Sequence, residues 1–124
     1  MTETTNKVHG TYKVINYGYA YKNEDRFEPI ADWFSGVIHY SESGYMSVIM
    51  RFAKDPQNFK DIVAYSGTYK VVGDEIVHEV TMSARPEYEG QQLVRKFKLS
   101  ANGQLELEFE NTPEFRKYAV WQRL

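Results

Sequence analysis

Leu93-Val94-Arg95-Lys96-Phe97-Lys98-Leu99 alternates with a period of two. A strand sends successive side chains to opposite faces, so Leu93, Phe97 and Leu99 share one face and Val94, Lys96 and Lys98 the other. Arg95 falls on the apolar face. The stretch Ile76-Val77-His78-Glu79-Val80-Thr81-Met82 repeats the anomaly, with His78 beside Ile76, Val80 and Met82. A guanidinium turned toward a core is costly unless something pairs with it. Two inward polar groups on such strands point to an all-β protein whose interior is a cavity with a polar floor.

Working outward with the same template, alternation marks about eight strands, over residues 7–21, 34–41, 45–52, 64–72, 75–83, 91–100, 104–110 and 115–123. Residues 22–32, which include Pro29, read as a polar loop. Asp55 suits a helix N-cap and Pro56 a first helical position, so one short helix is expected over residues 56–61. Short strands with turn signals between them mean a sandwich or a barrel.

The turns choose between the two. Gly73-Asp74 fits a two-residue hairpin loop, which pairs Val72 with Glu75, Val71 with Ile76 and Tyr69 with His78. A two-residue turn at Asn102-Gly103 would set Leu99 against Glu106 and expose an apolar face. A three-residue loop with a left-handed Gly103 instead pairs Leu99 with Leu105 and Phe97 with Leu107. The same loop at Glu42-Ser43-Gly44 pairs Tyr40 with Met46 and Ile38 with Val48. Consecutive hairpins make a meander, and an eight-stranded meander closes most simply into an antiparallel up-and-down β-barrel. A barrel of that size either fills its interior or holds one small ligand.

Composition sets the outer limits. A length of 124 residues fits one domain, residues 1–124, with a core of its own. Ten tyrosines are many for this length, and tyrosine suits walls with one apolar and one wet side. A net charge of −2 with both signs interspersed gives no case for nucleic acid. The absence of cysteine excludes disulfides and thiolate metal sites. Residues 1–7 are polar, without the apolar core of a leader, and no run approaches the roughly 18 apolar residues of a membrane span. A soluble cytoplasmic protein without membrane or cofactor is expected. Oligomeric state stays open, a homodimer included.

Tyr65, Tyr69, His78 and Arg95 form the inward polar set of three neighbouring strands. Tyr40, Phe97, Phe109 and Asn16 complete the candidate ligand-binding residues, and His78 and Arg95 are the candidate catalytic pair. The planar fork of Arg95 suits a carboxylate, enolate or phenolate. His78 suits a general base or a hydrogen-bond donor near neutral pH. The competing reading is an internal network, with Arg95 stacked on a tyrosine and bonded to Asn16 or a backbone carbonyl. No Asp or Glu reads as inward, which shifts weight toward a ligand or water.

Other constellations are weaker. His9, His39 and His78 sit on different strands with no His-x-His pair, so no metal site is expected. Ser47 and Ser66 lie outside any Gly-x-Ser-x-Gly elbow and face away from His78. Gly67 on the inward face marks either room for a ligand or a tight barrel corner. Trp33-Phe34 reads as a lid or a plug. Glu106, Glu108 and Glu110 read as outward, facing Lys96 and Lys98 across the neighbouring strand.

Gly10-Thr11-Tyr12, Gly44-Tyr45-Met46-Ser47, Ala64-Tyr65-Ser66-Gly67-Thr68-Tyr69, His78, Arg95 and Val120-Trp121-Gln122-Arg123 follow one another in order. In these segments the chain resembles the bacterial and fungal lipocalin-like domain family, a branch of the calycin β-barrels. The resemblance implies a barrel with a ligand-sized interior. It also implies kinship with barrels that act as cofactor-free isomerases, cyclases or lyases. Three functions stay open. The first is a binding barrel for a small hydrophobic or aromatic ligand, acidic or phenolic. The second is a cofactor-independent enzyme in which His78 moves a proton and Arg95 stabilises an oxyanion. The third is a filled barrel with a structural or regulatory role.

Overall fold

The computed structural model describes residues 7–124. Residues 1–6, most of the stretch read for a leader, lie outside the described residues. The strands are β1 Gly10–Tyr21, β2 Arg26–Pro29, β3 Ser35–Tyr40, β4 Tyr45–Arg51, β5 Ile62–Val72, β6 Glu75–Ser83, β7 Gln92–Leu99, β8 Gln104–Asn111 and β9 Phe115–Arg123. All but β2 form a closed antiparallel barrel. Each pairs with the next, and β9 returns to β1, from Tyr12 opposite Arg123 to Tyr21 opposite Phe115. Closure removes the sheet edges that would invite other chains.

β2 is a departure from the sequence reading. These four residues were expected within the polar loop, and instead they pair with the far end of β1, Gly18 opposite Pro29. Gly18 is what allows it, because a Cβ there would lie 2.1 Å from the Glu28 carbonyl oxygen. An edge strand also tolerates Pro29. The expected helix over residues 56–61 is a single 3₁₀ turn, Phe59–Asp61. Asn58 outcompetes Asp55 as its cap, accepting from the Lys60 amide at 2.8 Å. A second 3₁₀ turn, Pro86–Tyr88, lies between β6 and β7.

The hairpin registers follow the expected pairs: Tyr69 with His78, Leu99 with Leu105, Phe97 with Leu107, and Tyr40 with Met46. Gly103 has φ +83°, the left-handed conformation its loop requires. The short turns after β3, β5 and β7 gather at one end of the barrel. There the Tyr12 hydroxyl donates to the Val8 carbonyl at 2.6 Å and accepts from Arg123 at 2.7 Å. The long connections gather at the other end, together with the three-residue turn between β8 and β9. Between the ends lie Val14, Ile38, Val48, Leu105, Leu107 and Trp121, all buried. Each contributes about 1.5–3 kcal/mol of burial free energy.

β-Bulges interrupt β1, β6 and β8, and each resets which residues face inward. In β1, Val14 pairs with Trp121 but Asn16 with Val120, so Ile15 is the extra residue. Asn16 therefore turns outward and Tyr17 inward. In β6, Gly67 of β5 meets Val80 while Ser66 meets Met82. Met82, expected inside, is 67% exposed as a result. In β8, Phe109 is the extra residue and Glu110 pairs with Lys117. Lys96 and Lys98 do stand opposite Glu108 and Glu106. The ion pairs, however, go to Arg116 on the other flank, at 2.7 Å from Glu106 and 3.5 Å from Glu108. Its forked head reaches both carboxylates from β9.

β7 and β8 pair only from Leu99–Leu105 to Lys96–Glu108, then part toward the end that carries the long connections. Beside this opening the Arg95 guanidinium stacks over Phe109, with Cζ 4.7 Å from the ring centroid. Among the described residues no helix is long and apolar enough to cross a membrane.

Candidate ligand-binding site

A cavity of about 590 Å³ occupies the barrel at the end where β7 and β8 part. Its apolar walls include Ile38, Val48, Met50, Leu93 and Leu107. Aromatic rings line one side. Tyr17 stacks on Phe109 with centroids 5.2 Å apart and meets Phe52 edge-on at 5.5 Å. Lys60, Asp61, Arg85, Tyr88, Glu110 and Lys117 ring the mouth. Arg85 ties two of the long connections together by donating to the Phe59 carbonyl at 2.9 Å.

The polar floor is a chain of three side chains. His78 on β6 is only 1% exposed. The Tyr40 hydroxyl lies 2.6 Å from its Nε2 and the Tyr65 hydroxyl 2.7 Å from its Nδ1. Burial, with the Arg95 charge adding to it, pushes the His78 pKa down to about 3. The imidazole is neutral at pH 7. Burial likewise raises the Tyr40 pKa well above its usual value. Burial also pushes the Tyr65 pKa up to about 12, although the Arg95 charge pulls against it.

This sets a pH dependence. Above pH 6.5 His78 is neutral whether folded or unfolded. Between pH 6.5 and about 3 the unfolded chain takes up a proton that the native chain refuses. Stability therefore falls as pH falls through that window and levels off below it, the loss amounting to a few kcal/mol at order of magnitude. Urea unfolding from pH 7 to 3 should show this slope, and His78→Gln should lack it. A wild-type profile flat between pH 6 and 4 would contradict it.

Arg95 has no carboxylate partner among the described residues. Among the described residues its one clear hydrogen bond is a long one, 3.5 Å, to the carbonyl of Val94, and it also stands close to the Tyr65 hydroxyl. Its buried Nε has no partner among the described residues, and neither has Trp121 Nε1. Both residues line the cavity. These are donors only, so the unmet need is for acceptors. No cluster of three His, Asp or Glu among the described residues has the geometry to hold a metal ion.

Of the residues chosen from sequence, Tyr65, His78, Arg95 and Phe109 line the cavity. Tyr40 lies beneath it and acts through His78. Phe97 packs against the core, and Asn16 accepts from the Tyr17 amide at 3.0 Å, away from Arg95. Tyr69 belongs to the closed end, where its hydroxyl donates to the Ser41 carbonyl at 2.6 Å. Tyr69→Phe should therefore cost about 1 kcal/mol in urea unfolding and leave ligand binding at the cavity unchanged. A change in binding would mean the cavity extends to that end.

Trp33 and Phe34 do not line the cavity, and Phe34 packs against the core. Trp33 lies under the Arg51 guanidinium at 5.4 Å, and Ile30 and Ala31 line the mouth instead. Tyr17 and Trp121 escaped the sequence reading as site residues. The signal for Tyr17 was present: Tyr12 and Val14 alternate, and the alternation resumes at Tyr17, Tyr19 and Tyr21 one residue out of phase. Such a slip is how a bulge looks in sequence.

No curated protein sequence matches the chain. A solved structure of a redesigned β-barrel covers 97% of this chain and 94% of its own, at 11% identity and a TM-score of 0.49. A family model for the lipocalin-like domain matches residues 52–124. That span contains Tyr65, His78, Arg95, Phe109 and Trp121, and it exceeds half of the sequence: the chain belongs to the lipocalin-like domain family.

Proposed function

We propose that the protein binds a small hydrophobic or aromatic molecule bearing an acidic or phenolic oxygen, held inside the barrel. The observation that carries this reading is the buried Arg95 Nε, a charged donor without an acceptor among the described residues, in a cavity walled by aromatic and aliphatic side chains. Arg95 is half-buried, and a guanidinium whose Nε is taken out of water without a partner is costly. An anionic or strongly accepting oxygen on a flat ring would meet Arg95 and lie against Tyr17 and Phe109. The cations Lys60, Arg85 and Lys117 at the mouth outnumber the carboxylates Asp61 and Glu110, which favours an incoming anion.

The alternative of a cofactor-independent isomerase, cyclase or lyase with His78 as acid and base is less well supported. Both ring nitrogens of His78 are taken up by tyrosine hydroxyls, and burial keeps the ring neutral.

Titration calorimetry at pH 7 with two shape-matched probes tests the binding reading. 2-Naphthoate presents only acceptors and 2-naphthamidine, as its cation, only donors. The carboxylate should bind with one-to-one stoichiometry and at least about tenfold more tightly. Equal binding of the two, or none of the carboxylate, would overturn it.

A further inference from the structure

We infer that the Tyr40–His78–Tyr65 chain has a fixed direction and turns the Tyr65 hydroxyl hydrogen into the cavity, making Tyr65 a selectivity-determining donor to a deprotonated ligand oxygen. The inference rests on the binding reading above for its ligand, but not for its direction. Tyr40 is fully buried, and the sole hydrogen-bond partner of its hydroxyl among the described residues is His78 Nε2 at 2.6 Å. A buried O–H without an acceptor is far costlier than an idle lone pair, so Tyr40 donates and Nε2 accepts. The neutral imidazole then carries its proton on Nδ1. Nδ1–H donates to the Tyr65 oxygen at 2.7 Å.

The Tyr65 hydrogen is left over. Arg95 nearby can only donate, so it offers that hydrogen nothing. No other acceptor for it exists among the described residues, and Tyr65 lines the cavity. Each bond in the chain polarises the next, which strengthens the terminal donor. The cavity therefore offers Tyr65 O–H, Arg95 Nε–H and Trp121 Nε1–H and asks for an oxygen that only accepts. A carboxylate or phenolate fits. A neutral phenol or a primary amide brings hydrogens for which these three groups offer at most the second lone pair of the Tyr65 oxygen.

Two measurements test this. In ¹⁵N-labelled ligand-free protein at pH 7, NMR should find the His78 ring protonated on Nδ1 and bare on Nε2, with the signals assigned by their loss in His78→Gln. A proton on Nε2 would overturn the inference whatever binds. In calorimetry, Tyr65→Phe should weaken 2-naphthoate by about tenfold or more. Tyr65→Phe binding as tightly as wild type would overturn the donor role. Failure of the wild-type protein to bind 2-naphthoate would overturn the binding reading and the donor role with it, while the NMR result still judges the direction of the chain on its own.

Discussion

Arg95→Met is expected to weaken 2-naphthoate binding by about thirtyfold or more while leaving the stability of the free protein unchanged or raised. Losing one partner of a desolvated, hydrogen-bonded charge pair costs about 2–5 kcal/mol, and every 1.4 kcal/mol is about tenfold in affinity. Stability should behave differently, because Arg95 meets no carboxylate in the described residues and only a distant carbonyl. Methionine is flexible enough to keep the contact with Phe109. It also removes a partly desolvated charge, a change that often stabilises. Calorimetry and urea unfolding on the same sample check both halves. A stability loss of roughly 3 kcal/mol or more, the size expected for breaking a buried pair, would make Arg95 structural and end the case for a ligand there.

Gly67→Ala should be the most damaging single methyl group in the protein. A Cβ at Gly67 would sit 1.8 Å from the Glu79 carbonyl oxygen and 2.9 Å from its carbon, both backbone atoms. No rotamer relieves such a clash. Relief requires opening the β5–β6 ladder at the bulge beside Val80. The expected cost is about 3 kcal/mol or more, at the upper end of single-substitution effects. Urea midpoints measure it directly. A loss under about 1 kcal/mol, the centre of the distribution for single substitutions, would show that the bulge adapts. The tight-corner reading of Gly67 thus prevails over a space reserved for a ligand.

How much was legible follows from period two. Where the chain keeps strict alternation, as from Arg95 to Leu99 or from Gly67 to Val71, inward and outward faces were readable residue by residue. His78 and Arg95 were found that way, as the polar exceptions in an apolar register. The reading broke where one inserted residue changed the phase: at Ile15, which exchanged Asn16 for Tyr17; after Val80, which expelled Met82; and at Phe109, which turned Glu110 toward Lys117 at the mouth. Alternation alone carries no mark of a bulge except a phase slip, and a single slip resembles an ordinary surface apolar residue. β2 was hidden for another reason. Its charged residues look like loop, and what makes them a strand is the missing side chain of Gly18 on a different segment. The open end was illegible as well, because it depends on which connections are long and on where β7 and β8 stop pairing.

The seam between β1 and β9 has a consequence for synthesis. Tyr12 pairs with Arg123, 111 residues later in the chain. At about 5–20 residues per second, a ribosome needs on the order of 5–20 s to cover that distance. Throughout that interval the β9-facing edge of β1 has no partner, and Tyr12, Val14 and Tyr17 have no Trp121 or Ala119 to cover them. Contacts so distant in sequence also slow folding itself, because the ends of a long loop must meet before the pairing rewards them. The nascent chain is therefore most exposed to sticking to its neighbours early, and the strand made first is the one that waits longest.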